Sequence, residues 1–355
     1  MKPTGYLYLR ILITALLFSQ FAQLSKGEVL YVDSANGQDT NAGTKDRPLQ
    51  SLLKAAELVN NSSEPGPTTI VISAGLYSLN ECVTFANNRP YTQGNRLTIR
   101  ASILPDDLNW IPASMPIIVS CEDPRVPGKP DAYTETYSIK VKVNHVTIQG
   151  LKFLGNPKLN NMHGCVERIG KGLDDLLIKQ CVFIGDRNGV GIYAATLATG
   201  DRFVVEHCIF KGCAASAVYW DGLDEIGGRN CAMRYCIIDK AYMSGPWTCQ
   251  ATEDFEFHHN VVTNSEYFWI RKQGDRQKYK INKCAIIGNK HFSGYGTAAG
   301  PTGQTGDEVT FEENNVIKEG IVHFETNQKS HNYMHIKEDS IGKDLGAGLF
   351  TQAKK

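Results

Sequence analysis

From about residue 140 onward, apolar and polar residues alternate in runs too short for a helix, and one arrangement keeps returning. The segments LLIKQCVFIGD (176–186), FVVEHCIFKGC (203–213), CAMRYCIIDKA (231–241), FEFHHNVVTNS (255–265), YKINKCAIIGN (279–289) and VTFEENNVIKE (309–319) share it. Each holds a short alternating strand, a Cys or Asn, and a second apolar strand that ends near Gly or Asn. The Cys or Asn falls at Cys181, Cys208, Cys236, Asn260, Cys284 and Asn314, in steps of 27, 28, 24, 24 and 30 residues. Strands recurring at that period without helical periodicity predict stacked β-coils. Successive coils then lie about 4.8 Å apart, and equivalent side chains form ladders.

A small polar or thiol side chain at every corner can satisfy the turn backbone from inside, so Asn and Cys can interchange there. Cys181, Cys208, Cys236 and Cys284 therefore read as a buried ladder rather than as disulfides or metal ligands. Cys82, Cys121, Cys165, Cys213, Cys231 and Cys249 lack metal-ligand spacing, and the sequence assigns no pairing among them. The open end of such a stack exposes core and strand edges, so it needs a cap. A helix is predicted near 48–60, with Pro48 at its first position and Leu49, Leu52, Leu53, Ala56 and Val59 on one face. Before it, Asp33, Asn36, Gly37, Asp39, Asn41 and Gly43 offer oxygens that could hold calcium, but without EF-hand spacing they read as a turn-rich connector.

The recurrence resembles right-handed parallel β-helix repeat proteins of the pectate-lyase-like superfamily. LYVDSANGQDTNAGTKDRPLQSLLKAAELV (30–59), TIVISAGLYS (69–78) and LTIRAS (97–102) look like the opening segment of secreted β-helix polysaccharide lyases and glycosidases. The resemblance implies an all-β, right-handed parallel β-helix of three-stranded coils with an N-terminal capping helix. It implies one continuous domain over 28–355, with the cap and first coils in 28–140 and the main coils and a C-terminal cap in 141–355. The reaction is less defined, because β-helices host lyases, hydrolases, esterases and non-catalytic adhesins.

Residues 1–27 differ from the rest: Lys2 and Arg10 precede an apolar run from Ile11 to Phe18, and small residues Ser25 and Gly27 follow. This reads as a secretory signal peptide, too short to span a bilayer, and it predicts a secreted or periplasmic protein without stable membrane insertion. The 355 residues are 42% hydrophobic and balance 37 Lys and Arg against 37 Asp and Glu, which excludes disorder and argues against nucleic acid as a partner. Loss of the leader removes Lys2, Arg10 and Lys26, leaving 34 basic against 37 acidic residues and no long-range pull on a polyanion.

The strand before the turn into each Cys or Asn strand varies most: CVERI (165–169), VGIYA (190–194), AVYWD (217–221), PWTCQ (246–250), YFWIR (267–271) and IVHFE (321–325). With Ile192, Val218, Phe268 and Val322 inward, alternation turns Tyr193, Tyr219, Trp269 and His323 outward, together with Asp221, Arg271 and Glu325, and Trp247 joins them. A column of rings and ionisable groups along a rod suits an extended polysaccharide, since sugar C–H faces stack on rings while charges act on hydroxyls or carboxylates.

Coil spacing sorts the chemistry. Asp221 and Glu167 lie two coils apart, roughly 9.6 Å, near the separation of an inverting carboxyl pair, whereas Glu325 lies about 19 Å from Asp221 and is excluded. A β-eliminating lyase instead needs a base for the proton α to a uronate carboxylate and a cation to neutralise that carboxylate. In the resembling lyases the base is Lys or Arg and the cation often calcium, which implies Arg271 or Lys272 as base, Asp221 as metal ligand and Arg276 on the substrate. Lyase action on an acidic polysaccharide is the leading reading, with a glycoside hydrolase and a non-catalytic carbohydrate-binding or surface protein as alternatives. Asp174, Asp175, Asp201, Asp254, Asp275 and Asp307 recur before the Cys or Asn strands and read as turn devices. His258 and His259 read as structural, because adjacent strand residues point to opposite faces. His163 is a lone loop histidine, and the Gly-rich run 294–306 reads as a loop overhanging the groove.

Overall fold

Ile70, Ile99, Ile148, Ile178, Val205, Met233, Phe257 and Ile281 occupy one inward position in successive parallel strands, all but fully buried. A second ladder carries Ile118, Phe153, Phe183, Phe210, Ile238, Val262 and Ile286 in the same way. Phe153, Phe183 and Phe210 stack face on face at 5.0 and 4.7 Å, the spacing of neighbouring strands. These ladders are the core of a parallel β-solenoid of about seven turns. The computed structural model describes residues 27–86, 89–120, 136–155, 163–186, 191–220, 228–248, 254–272, 275, 278–297, 300–302 and 311–351. The leader up to residue 26, Asp221, Arg276, Asp307, Cys121 and Cys249 lie outside the described residues.

The corner between the two ladders is built by a residue pair. Gln180, His207, Tyr235, His259 and Lys283 take positive φ of 49–55°, a conformation that costs a non-glycine residue about 1–2 kcal/mol. The next residue supplies hydrogen bonds that offset this strain. The Sγ atoms of Cys181, Cys208 and Cys236 donate to the carbonyls of Ile148, Ile178 and Val205 in the preceding coil, at 3.6–3.7 Å. Asn260 does the same through Nδ2 to Met233 O at 2.8 Å. All the described cysteines are free thiols. The sixth repeat departs from the expected alignment: Asn314 pairs with Asn282 and is exposed, and Val316 pairs with Cys284.

The helix α1 (Leu52–Asn61) buries Leu52, Ala55, Ala56 and Val59 in the solenoid core, and Leu53 is half-buried. It starts at its cap, Ser51, whose Oγ accepts from Lys54 N at 3.1 Å, and not at Pro48. Leu49 is instead held in extended backbone, bridged to Val32. Asp39 fixes this boundary by accepting from Gln50 N, Ser51 N and Ser51 Oγ. Asp33 accepts from Ala35 N and Asn36 N, so both carboxylates of the preceding loop hold turn backbone.

Beyond the strand Phe311–Ile317, the chain leaves the solenoid path. Residues 318–351 form a strap along the outer face of the second ladder, where Met334 and Leu349, with Trp110 and Met115, cover Val182, Ile209, Ile237, Val261 and Ala285. The tail is fastened to the corner column: Gln180 Nε2 donates to Leu349 O (2.7 Å), Gly348 N to Tyr235 O (2.8 Å) and His207 Nδ1 to Gly348 O (2.9 Å). IVHFE (321–325) is therefore part of the strap and not a coil strand. His323 is exposed there, and Glu325 pairs its backbone with Met334 and His335. Among the described residues no helix is long and apolar enough to cross a membrane.

Candidate functional site

A third ladder stacks His163–Arg168, Ala194–Ala198, Ser216–Trp220, Ser244–Thr248, Tyr267–Lys272 and His291–Thr297. In four of these strands two consecutive residues turn into the interior, all but one of them in the core cluster: Cys165 and Val166, Ala195 and Thr196, Ala217 and Val218, Phe268 and Trp269. Strict alternation therefore breaks once per strand. The outer face receives the residues before and after the buried pair, and its columns run through Gly164, Ala194 and Ser216 and through Glu167, Leu197, Tyr219 and Trp247.

This break corrects two expected positions. Ile270, not Trp269, pairs with Trp247. Trp269 is fully buried, its Nε1 donating to Thr248 Oγ1 at 3.0 Å among Phe255, Phe257, Tyr279 and Phe311. Arg271 is also interior, 2% exposed, with Nη1 donating to Asp275 O at 3.3 Å and its guanidinium 4.7 Å from the Tyr295 ring. Arg168 occupies the equivalent inward column four strands earlier. It donates through Nε and Nη2 to Thr199 O at 3.1 and 2.7 Å, and burial brings its pKa down to about 10.

On the outer face, Tyr137, Gly164, Tyr193, Ala194, Leu197, Ala215, Ser216, Tyr219 and Trp247 line a trough of about 190 Å³. Two glycines let its rings lie down on the sheet. A Cβ on Gly164 would sit 2.3 Å from Tyr137 Cε1, and one on Gly296 would sit 2.2 Å from Trp247 Cζ2. Tyr219 and Trp247 meet edge to face with centroids 5.0 Å apart. At one end, Lys140 Nζ lies 5.0 Å over the Tyr137 ring and 3.5 Å from the Glu167 carboxylate. At the other, Lys272 pairs with Gly296, so it borders the Trp247 ring. Ser216 and Ser244 share a buried hydroxyl hydrogen bond of 2.9 Å in the outer column next to the rings. Trp247 Nε1 is buried with no acceptor among the described residues.

The structure thus brings together Tyr193, Tyr219 and Trp247, with Glu167 and Lys272 at the margins. Trp269 and Arg271 fall in the core and His323 on the strap, while Asp221 and Arg276 are outside the described residues. Tyr137, Lys140, Leu197 and Ser216 were missed: the sequence pattern predicts VGIYA (190–194) as the coil strand, but the strand is Ala194–Ala198 and Leu197, not Tyr193, pairs with Tyr219, while only the register aligns Tyr137, Lys140 and Ser216 with the rings. Of the acids set aside, Asp174 pairs with Arg202, Asp201 pairs with Arg229 at 2.9 Å and also accepts from Arg229 N, and Asp175 pairs with Arg96 at 2.5 Å and His145 at 2.8 Å. Among the described residues no group of three or more His, Cys, Asp or Glu side chains is arranged to hold a metal ion.

No protein-family model matches the chain, and no curated protein matches it. Among solved structures it is similar to a pectin methylesterase from Aspergillus niger, at 11% identity and TM-score 0.48 over 90% of this chain and 93% of that one. It is similar to a GH136 lacto-N-biosidase from Eubacterium ramulus, at 11% identity and TM-score 0.43 over 88% and 71%. A rhamnogalacturonan lyase gives 13% identity and TM-score 0.38 over 91% and 100%. At these values the likeness is one of the general course of the chain, and no reaction is carried across by it.

Proposed function

We propose that the protein is a secreted carbohydrate-active β-helix that lays an extended polysaccharide along the trough of Tyr137, Tyr193, Tyr219 and Trp247. The observation that carries this reading is the set of rings bedded on one outer face, two of them seated over glycines. Such rings offer flat apolar surface to sugar C–H faces, and Lys140, Glu167 and Ser216 offer hydrogen bonds beside them. The finer architecture belongs to the same reading: right-handed coils of three strands, one from each ladder, with α1 closing the N-terminal end.

Within it, β-elimination on an acidic polysaccharide retains Lys272 as base, Arg271 being interior, with Asp221 as ligand for calcium. Hydrolysis is a second reading, supported by one observation: Glu167 places a carboxylate in the outer column of Tyr219, beside the rings, where it would serve as one member of a carboxyl pair with Asp221 as the other. The test is a panel of uronate and neutral polymers followed at 235 nm and by reducing ends, with and without calcium. Absorbance lost in Lys272→Ala supports elimination, and reducing ends without absorbance that are lost in Glu167→Gln support hydrolysis. Binding unchanged in both Tyr219→Ala and Trp247→Ala would remove the trough as the site.

A further inference from the structure

His258 and His259 are adjacent on the sequence, and strand alternation would send them to opposite faces. The corner geometry overrides this: His259 takes φ 54°, and the turn brings its Nδ1 to 2.9 Å from Nδ1 of His258, with the ring planes at 86°. Both rings are held from outside the pair. Tyr235, one coil back, stacks on His259 at 4.7 Å and meets His258 edge-on at 5.5 Å. The Glu256 carboxylate lies 3.9 Å from Nε2 of His258, and Arg234 holds that carboxylate at 3.4 Å.

We propose that His258 and His259 form a two-nitrogen chelate for a divalent transition-metal ion, copper(II) foremost, with water completing the coordination. The distance selects the geometry. Two nitrogens about 2.0–2.1 Å from one ion are about 2.9 Å apart when they subtend a right angle and about 3.4 Å apart at the tetrahedral angle. The observed 2.9 Å fits the right angle, which is the preference of copper(II) and nickel(II) rather than zinc. In the metal-free protein this contact is an N–H···N hydrogen bond that keeps one imidazole proton on an Nδ1, and ligation through both Nδ1 atoms moves that proton to the Nε2 of the same ring. For His258 that proton faces Glu256, the carboxylate placement that orients a metal-bound histidine. The nearby cations Lys283 and Arg234 oppose a dication, and Glu256 offsets them.

The test uses untagged full-length protein titrated with copper(II) and followed by calorimetry and electron paramagnetic resonance. One ion per chain is expected, with hyperfine structure from two nitrogens and nuclear-resonance broadening confined to the surroundings of Tyr235, His258, His259 and Lys283. His258→Gln and His259→Asn should each weaken binding on the order of 100-fold, the loss of an intramolecular second ligand. Asn is chosen because it tolerates positive φ. Full-strength binding in either variant, a single-nitrogen spectrum, or broadening centred elsewhere in the wild-type protein would each overturn the proposal, and the last two need no variant to fold.

Discussion

Asn260 and Cys236 are joined across neighbouring coils: Asn260 Oδ1 accepts from the Cys236 backbone N–H at 2.9 Å, while Asn260 Nδ2 reaches Met233 O at 2.8 Å. One fully buried side chain thus satisfies a backbone donor and a backbone acceptor. Asn260→Ala strands both, which should cost about 3 kcal/mol, whereas Asn260→Cys, repeating the chemistry of neighbouring coils, should cost about 1 kcal/mol. Urea unfolding midpoints of the two variants check the order. Equal losses would mean that the side-chain hydrogen bonds are not what matters at this corner.

Arg271 lies inside the solenoid, between Asp275 O and the Tyr295 ring, so its removal should act on stability first. Arg271→Ala should cost about 2–5 kcal/mol through the cavity it leaves. Arg271→Met should recover much of this, since it refills the space without burying a charge. Comparing unfolding midpoints with glycan turnover separates the two roles. A fully stable Arg271→Ala protein without turnover would return this residue to the chemistry.

Gly296 gives the Trp247 ring its seat. Gly296→Ala places a methyl where Cζ2 of the ring lies and should tilt the indole out of the trough. Glycan affinity should fall by about tenfold, the scale of one displaced stacking contact, with little change in the urea midpoint. Fluorescence titration of Trp247 against the polymer that binds wild-type protein measures it, and unchanged affinity would detach Trp247 from binding.

Glu206 sits between Lys179 at 3.1 Å and Arg234 at 2.8 Å. Burial pushes its pKa up, but the two cations and their hydrogen bonds outweigh this and hold it below the ordinary value. A depressed carboxylate contributes stability above its unfolded pKa of about 4.3, and loses it as pH falls through the folded value. Glu206→Gln should therefore be less stable than wild type at pH 7, and the gap should close below about pH 4. Unfolding curves at both pH values decide it, and a gap that persists in acid would rule the linkage out.

His207 anchors the strap through Gly348 O, and burial lowers its pKa. A histidine whose folded pKa is depressed loses stability as pH falls from about 6.5 through the folded value, because the unfolded chain takes the proton first. His335 fastens the same segment, its Nε2 accepting from Leu349 N at 2.9 Å. Hydrogen exchange at Gly348 and Leu349, corrected for intrinsic rate, should quicken between pH 7 and 5 more than exchange in the Phe183 ladder. Equal change in both would place the acid sensitivity elsewhere.

The inward ladders were legible because a stacked coil imposes the same burial on each repeat. Phe183 and Phe210, or Cys208 and Cys236, announce their equivalence through spacing alone. The third ladder was legible only in part. Tyr193, Tyr219 and Trp247 do line the outer trough, although Leu197 and not Tyr193 pairs with Tyr219, and the strict alternation used for YFWIR put Trp269 and Arg271 outside. Two consecutive core residues, Phe268 and Trp269, shift every later position by one, and residue type gives no warning of it, since an arginine such as Arg271 is seldom buried.

The sequence by itself determined the parallel solenoid, the Cys and Asn corner and the existence of a ring-bearing face, all of which repeat and so leave a period in the chain. Only the tertiary structure decided what happens once. It turned the segment containing His323 back along the second ladder, aligned Tyr137 and Lys140 with rings more than fifty residues away, and brought His258 and His259 nitrogen to nitrogen. The first two depend on register and on a departure from the repeat, which leave no period in the chain, and the third on two histidines falling at a corner whose positive φ recurs from coil to coil.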